Sequence, residues 1–373
     1  MRSDNFIYKF YYQWWKNIDK SIFTLIGLLF IIGLFFSLVS TSLIASDKLD
    51  TNNYSFFFKH LVYVLIGIII IFIFSSFNTN QLFKYSIFLF FVSLFSLLLV
   101  PIIGIEVKGS KRWIDLFFLP RFQPIEVLKP FLIITLATIL CSNKANIFSK
   151  HLISIFIIAL ISLLLIFQPD IGQTLLVLFS WTVLIFTSGI NLYFLISFFL
   201  FGSLFLAYLI IFVPKFDYIQ GRIFSFFNRE TGTHNFQSDK AIESITSGGF
   251  FGKGIGEGVL KNRVPEAHTD YIISVISEEF GVVAIMLILL LFLILVYMVF
   301  KKISFETSDK AKLILIGSVS LILMQATIHI GVNIRLFPTT GMTLPFLSYG
   351  GSSTISTSIL AGIILNLTKR KIS

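Results

Sequence analysis

Carboxylates, an imidazole and hydroxyls crowd the stretch VPEAHTDYIISVISEEFG at 264–281, which heads an apolar run continuing VVAIMLILLLFLILVYMVF. A carboxylate in or near hydrocarbon costs about 2.5 kcal/mol or more, so it is kept where it meets a partner, a cavity or a substrate. With Thr269 as N-cap, Asp270 falls in the first helical turn, where the helix dipole favours an anion. Asp270 is then either a simple cap or a carboxylate placed for chemistry. At about 100° per residue, Ser274, Ser277 and Gly281 share its face, while Glu278 stands to one side and Glu279 lies opposite. Such a stripe predicts a helix that lines a cavity and does not face lipid.

Three more stretches hold reactive types. GIEVKGSKRWIDLFFLPRFQPIEVLKP at 104–130 joins Lys111 and Arg112 to Trp113, and arginine can fork onto phosphate while an indole stacks on sugar or rests at a membrane surface. It ends with Gln123 and Pro124 at the start of a helix, with Glu126 and Lys129 three residues apart: a local salt bridge, or the same pair inside a polar cavity. QPDIG at 168–172 puts Asp170 at a helix cap that needs no burial. GGFFGKGIGEG at 248–258 superficially resembles a phosphate-binding glycine loop, but no strand precedes it, so a flexible loop able to fold over a substrate is the better reading. Finally NIRLFPTTGMTLPFLSYGGSS at 333–353, with two prolines and a Gly pair, predicts broken, re-entrant backbone, which is tolerated only where protein or water shields it.

The elements that position these residues are membrane helices. The 373 residues are 56% hydrophobic and 13% charged, with mean hydropathy +0.90, against about 25% charged in soluble domains. Single Cys141 excludes an internal disulfide, and no Cys/His cluster marks a metal site. At about 20 apolar residues per crossing, ten spans are expected near 22–45, 60–75, 83–103, 125–141, 152–167, 171–189, 192–213, 270–300, 311–334 and 348–367. The first run is too long for a signal core and is expected to stay as a span, after an aromatic and lysine-rich interfacial segment over 1–21. The expectation is an all-α bundle of ten transmembrane helices over 22–367, with a long extracytoplasmic loop at 214–268 between the seventh and eighth helices and a tail at 368–373. Outside the loops 104–130 and 214–268, Lys and Arg fall mostly on the side of the termini, which predicts cytoplasmic termini. Those two basic loops then lie outside, either holding an anionic ligand or merely tolerated as long loops.

KGSKRWI, QPIEVLK, QPDIG, VPEAHTDYIISVISEEFG and FPTTGMTLPFLSYGGSS together resemble, in order and approximate spacing, the motifs of the SEDS family of bacterial shape, elongation, division and sporulation proteins. The likeness covers nearly the whole chain, and PEAHTD, FQSDKAIESITSGGFFGKGIGEG and TGMTLPFLSYGGSS look more like the division branch than the elongation branch. It implies a ten-span, inverting peptidoglycan glycosyltransferase of the inner membrane and septum that polymerises lipid II. Its implied partners are a class B penicillin-binding protein, which crosslinks the strands, and other divisome membrane proteins; no nucleic acid is implied. The family's essential acidic residue matches Asp270. The candidate site is Asp270 as base, with Lys111, Arg112, Trp113, Gln123, Glu126, Lys129, Arg263, Glu266, His268 and Ser348 binding substrate and Lys261 as a further cation for diphosphate. A divalent metal would help at the diphosphate, but no dedicated cage is visible. The chain departs from the family at Ile125, where a Ser is usual; at Thr340, where a Lys is frequent and Arg335 is the substitute cation; and at Arg229, where Pro is common. A lipid II flippase and a non-catalytic scaffold are the competing readings.

Overall fold

The protein is described by a computed structural model over residues 5–44, 54–107, 109–116, 119–143, 146–227 and 236–369. Arg229 and the tail beyond Lys369 lie outside the described residues. The chain begins with α1 (Asn5–Asn17), whose Trp14 indole donates to Ser75 Oγ at 2.8 Å. Apolar helices follow: α2 (Lys20–Ile44), α3 (Ser55–Ser76), α4 (Thr79–Ile103), α5 (Pro124–Leu140), α6 (Ile147–Phe167), α7 (Ile171–Thr187) and α8 (Leu192–Phe212). The amphipathic α9 (Asp217–Phe227) and α10 (Phe236–Gly248) come next, then α11 (Ile272–Ile303), α12 (Asp309–Asn333) and α13 (Gly351–Leu367). Among the described residues seven helices are long and apolar enough to cross a membrane: α2, α3, α4, α6, α8, α11 and α12. The other three expected spans appear as α5, α7 and α13, each of 17 residues, near the lower limit for a crossing.

Of these short helices α5 and α13 lie in the interior of the bundle, while α7 buries one face and leaves Leu175 and Phe186 exposed. Nearly every residue of α5 and α13 is buried, whereas Leu195 is the one buried residue of α8. The close packing uses small residues, as expected where lipid offers no hydrophobic drive between helices. A Cβ on Gly317 of α12 would stand 2.8 Å from an Ile133 methyl of α5 and 2.9 Å from a Leu184 methyl of α7, so a larger residue there would force those side chains to shift. Charged ends gather beside the termini: Lys302 pairs with Asp19 at 2.6 Å, and Asn366 and Lys369 donate to the Phe77 carbonyl at 2.7 and 3.0 Å.

The opposite end carries the structured connections, and here the structure adds to the all-α expectation. The 104–123 stretch is an antiparallel meander of β1 (Ile105–Val107), β2 (Ser110–Leu116) and β3 (Leu119–Phe122), turned at Gly109 with φ 77°. The 214–268 connection holds α9, α10 and a 3-10 turn at Leu260–Arg263. The eighth span is not one helix: Gly281 has φ 77° and ψ 179°, which splits α11 into 272–280 and 282–303. The second part is roughly 33 Å long at 1.5 Å per residue and crosses hydrocarbon by itself. Residues 334–350 form an irregular strap between α12 and α13, as the prolines and glycines predict.

Candidate active site

A cavity of about 1090 Å³ opens among these connections, at the end of the bundle opposite the termini. Asp270 lines it from the turn that precedes α11. That turn is held by its own backbone and by a neighbouring helix: Asp270 N donates to Glu266 O at 3.1 Å, and Asn333 Nδ2 donates to Asp270 O at 3.0 Å. The expected Thr269 cap does not form. Thr269 Oγ1 donates to Glu266 O and Oε2, both at 3.2 Å, and the N-cap position belongs to Tyr271, without a side-chain bond. Asp270 is therefore not the first helical turn's anion. Gly341 of the strap passes beside its carboxylate, where a Cβ would stand 3.5 Å from Oδ2.

Arg112, Trp113, Gln123, Glu126 and Glu266 line the same cavity. Arg112 is already committed: Nε donates to Gln168 O at 3.1 Å, Nη2 donates to Pro169 O, and Nη1 stands 3.7 Å from Asp170 Oδ2. Asp170 does cap α7, accepting from Gln173 N at 3.3 Å, but it is only 2% exposed, contrary to the expectation that it needs no burial. Burial pushes its carboxyl up, against the opposing pull of Arg112. Gln123 Nε2 donates to Asp170 Oδ2 at 2.8 Å, so the start of α5 is tied to the start of α7.

Glu126 and Lys129 combine the two readings left open for them. They are ion-paired at 2.9 Å, and Glu126 reaches the cavity, while Lys129 is sealed below it at 1% exposure. Gln173 Nε2 donates to Glu126 Oε1 at 2.6 Å, Lys129 Nζ to Gln325 Oε1 at 3.3 Å, and Gln325 Nε2 to Thr343 O at 3.0 Å. This polar chain joins α5, α7, α12 and the strap under the cavity floor. Bonded from helix to helix in this way, buried polar groups favour one arrangement of helices.

Ser274, Ser277 and Gly281, the stripe expected to line a cavity, do not line this one: Ser277 Oγ donates to Ile245 O of α10 at 3.4 Å, so this face of α11 packs on α10. The break at Gly281 leaves backbone groups without helical partners, and the glycine loop supplies them. Val282 N and Val283 N donate to Gly249 O and Phe250 O at 3.0 and 3.3 Å, while Lys253 N and Gly254 N donate to Glu278 O and Glu279 O at 2.9 and 3.0 Å. The side chains template the rest of the loop: Glu278 accepts from Leu260 N at 2.9 Å, Lys261 N at 2.5 Å and Ser244 Oγ at 2.9 Å, and Glu279 pairs with Lys261, both fully buried. The loop is thus a built element whose amides serve the broken helix.

Other candidates lie off the cavity wall. Lys111 on β2 and Arg263 are exposed and do not line it. Lys261 is consumed by Glu279, and Arg335 pairs with Asp239. His268 packs against the rings of Phe56 and Tyr349, at 4.5 and 5.9 Å between centroids. Ser348 is buried and stitches the strap to the Asp270 turn, donating to Thr269 O at 2.7 Å and accepting from Leu344 N at 2.9 Å. Sequence reasoning missed Lys59, Arg121 and Arg222, all on the wall. Arg121 pairs with Asp115 at 3.0 Å, and Lys59 stands over the Phe56 ring at 5.8 Å. Arg222, from α9, makes a single 3.5 Å bond to Thr339 O and no ion pair among the described residues. Burial and neighbouring Arg112 both lower its pKa. Thr340, also on the wall, is next to that carbonyl. Among the described residues no group of three or more His, Cys, Asp or Glu could hold a metal ion, so the side chains present do not form a cage for one.

The model of the "Cell cycle protein" family that takes in FtsW, RodA and SpoVE matches residues 19–372. The chain belongs to this family. Relatives named "Probable peptidoglycan glycosyltransferase FtsW" match along most of their length. That of Caulobacter vibrioides is 29% identical over 96% of this chain and 91% of its own, and that of Haemophilus influenzae is 30% identical over 94% and 90%. The Trichlorobacter lovleyi protein of the same name is 33% identical over 88% and 87%. Among solved structures, a chain from a peptidoglycan synthase complex superposes with TM-score 0.74 at 25% identity, covering 94% of this chain and 97% of that one. The rod shape determining protein RodA of Thermus thermophilus gives 0.66 at 27%, covering 94% and 96%. The FtsW/RodA/SpoVE fold thus accounts for the helical bundle and its multi-pass membrane character.

Proposed function

We propose that this protein is a peptidoglycan glycosyltransferase that polymerises lipid II into glycan strands in septal wall synthesis. The observation that carries the reading is Asp270, whose turn forms part of a cavity wall that also bears Lys59, Arg112, Arg121 and Arg222. FtsW relatives covered over most of their length supply the substrate class. With the termini in the cytoplasm, as the Lys and Arg distribution predicts, the cavity opens to the outer face, where glycan is built.

In the reaction the acceptor sugar's 4-hydroxyl oxygen attacks the anomeric carbon of a lipid-diphosphate donor. A glycosidic C–O bond forms, the anomeric bond to diphosphate breaks, and that configuration inverts. Asp270 takes the hydroxyl proton. The diphosphate leaves as an anion without needing an acid, so one general base suffices where glycoside hydrolysis uses two carboxylates. Fixed cations offset the charge that grows on the leaving oxygens. Arg112 is spent on the Gln168–Asp170 turn and acts by positioning; Arg222 holds the uncommitted guanidinium, with Arg121 and Lys59 more exposed. Trp113 offers a flat face to a sugar ring. The reading includes a class B penicillin-binding protein as crosslinking partner, alongside other divisome membrane proteins, and derives no step through a metal.

The test is lipid II polymerisation by the purified protein with its transpeptidase partner. Asp270→Asn, folded and complexed normally, is expected to lose glycan synthesis. Wild-type polymerisation by that variant refutes the base assignment, and headgroup translocation in liposomes without any polymer formation would favour the flippase.

A further inference from the structure

The glycine loop GGFFGKGIGEG projects rings that polymerisation does not use. Phe250 and Phe251 are 76% and 84% exposed, and Ile255 is 64% exposed. Their height relative to the membrane follows from the backbone. Gly249 O and Phe250 O accept from Val282 N and Val283 N, the first amides of the part of α11 that spans the hydrocarbon. From that point the exposed surface of α11 runs on through Met286, Leu287 and Leu290 without a charge. Between Phe250 and Ile255 the one charged residue, Lys253, brings Nζ to 3.6 Å from the buried Glu278 Oε1.

We propose that residues 249–255 form a lipid-inserted wedge, with Phe250, Phe251 and Ile255 in the acyl chains of the leaflet on the cavity side. Irregular backbone is excluded from hydrocarbon unless its polar groups are paired within the protein. This loop meets that condition at the groups nearest the helix: Gly252 N donates to Gly248 O at 2.9 Å, Lys253 N and Gly254 N donate to the helix carbonyls, and Gly249 O and Phe250 O are taken by helix amides. The remaining backbone groups of the loop stay at headgroup level, and only side chains reach the acyl chains. The splice at Gly281 therefore gives both sides what they lack, and the side chains left to face outward are Phe250, Phe251, Ile255 and the half-exposed Lys253, whose ammonium leans toward Glu278. The occupant is lipid, because the loop continues the lipid-facing surface of a spanning helix. The wedge ties the helical segment 272–280, and through it the Asp270 turn, to a fixed depth at the membrane surface.

The experiment is spin-label accessibility on the full chain in phosphatidylethanolamine–phosphatidylglycerol vesicles. Cys141→Ser removes the native thiol, and labels are then placed by Phe251→Cys or, independently, Ile255→Cys. Met286→Cys on α11 and Glu243→Cys on α10 give the lipid and water references. Labels at 251 and 255 are expected to lose sensitivity to a water-soluble nickel relaxer and keep it for oxygen, as at 286. Relaxation matching that at 243 overturns the wedge. Shielding that appears only after a transpeptidase partner is added also overturns it, and assigns the surface to protein instead.

Discussion

Replacing Lys261 with Met tests whether the spliced loop holds the Asp270 segment. Lys261 and Glu279 are both fully buried and paired, and burial lowers the ammonium's pKa while Glu278 opposes that shift. Removing one member of a buried pair costs about 3–5 kcal/mol, because the other charge stays behind uncompensated. That is roughly a hundredfold to several-thousandfold in the local opening equilibrium at 1.36 kcal/mol per decade. The loss lands on residues 249–263, whose amides serve Glu278 and Glu279, so Lys261→Met should make this loop a rapid site of limited proteolysis in vesicles. Polymerisation should fall through kcat, since the cavity's cations are untouched while the carboxylate turn loosens. The double variant Lys261→Met with Glu279→Leu removes both charges and should recover most of the protection, as apolar replacements of buried pairs are often neutral. Proteolysis of the single variant at the wild-type rate, or a double variant as labile as the single, refutes the reasoning.

Arg222→Gln should reduce kcat/KM for the lipid donor by roughly 10- to 100-fold, the effect of losing a charged hydrogen bond of about 1.5–3 kcal/mol. Arg121→Gln, at an exposed pair, should change it little; equal effects in a polymerisation assay would contradict this ranking. Asp170 titrates above the usual carboxylate range because it is buried. As pH falls from 7 toward 4 the folded protein therefore takes up a proton before the unfolded chain does, and this gain is complete below the unfolded pKa. The melting temperature of the parent protein should accordingly rise relative to Asp170→Asn over that range, and a difference that moves the other way would overturn the assignment.

Span positions were legible because an apolar run of sufficient length has one stable solution in a bilayer. The short α3 span near 60–75 borrows both flanks, as Ser55–Ser76 shows. The break at Gly281 was not legible. SEEFGVV keeps helical periodicity, and what breaks it is a loop about 30 residues upstream whose carbonyls take the amides of Val282 and Val283. The partners of Glu278 and Glu279 were hidden for the same reason, since most are backbone amides of that loop, which no pattern marks. The meander left a faint signal in Lys108–Gly109 between short alternating runs. Asp270 stood out because an acid at the head of a span needs a reason. Arg222 did not, because a cation in a long loop needs none, and only the contacts of α9 bring it to the wall.

The placement of buried charge also bears on transport. Among the described residues the buried ionised types are Glu126, Lys129, Asp170, Lys261, Glu278 and Glu279. All belong to the cavity end: Glu126 and Lys129 sit in the first turns of α5, Asp170 caps α7, and the others lie in the loop splice. Past Lys129, α5 continues with Phe131, Leu132, Ile133, Ile134, Leu136 and Ala137, each at most 1% exposed. A carrier of a diphosphate headgroup would need charged or wet positions that become reachable from both faces, and this interior instead ends its ionic chain at Lys129 and Gln325. Chemistry done from one side has no such need. The buried polar chain then serves as a rigid floor, which holds α5, α7, α12 and the strap in register so that Asp270 and Arg222 keep their positions on one wall.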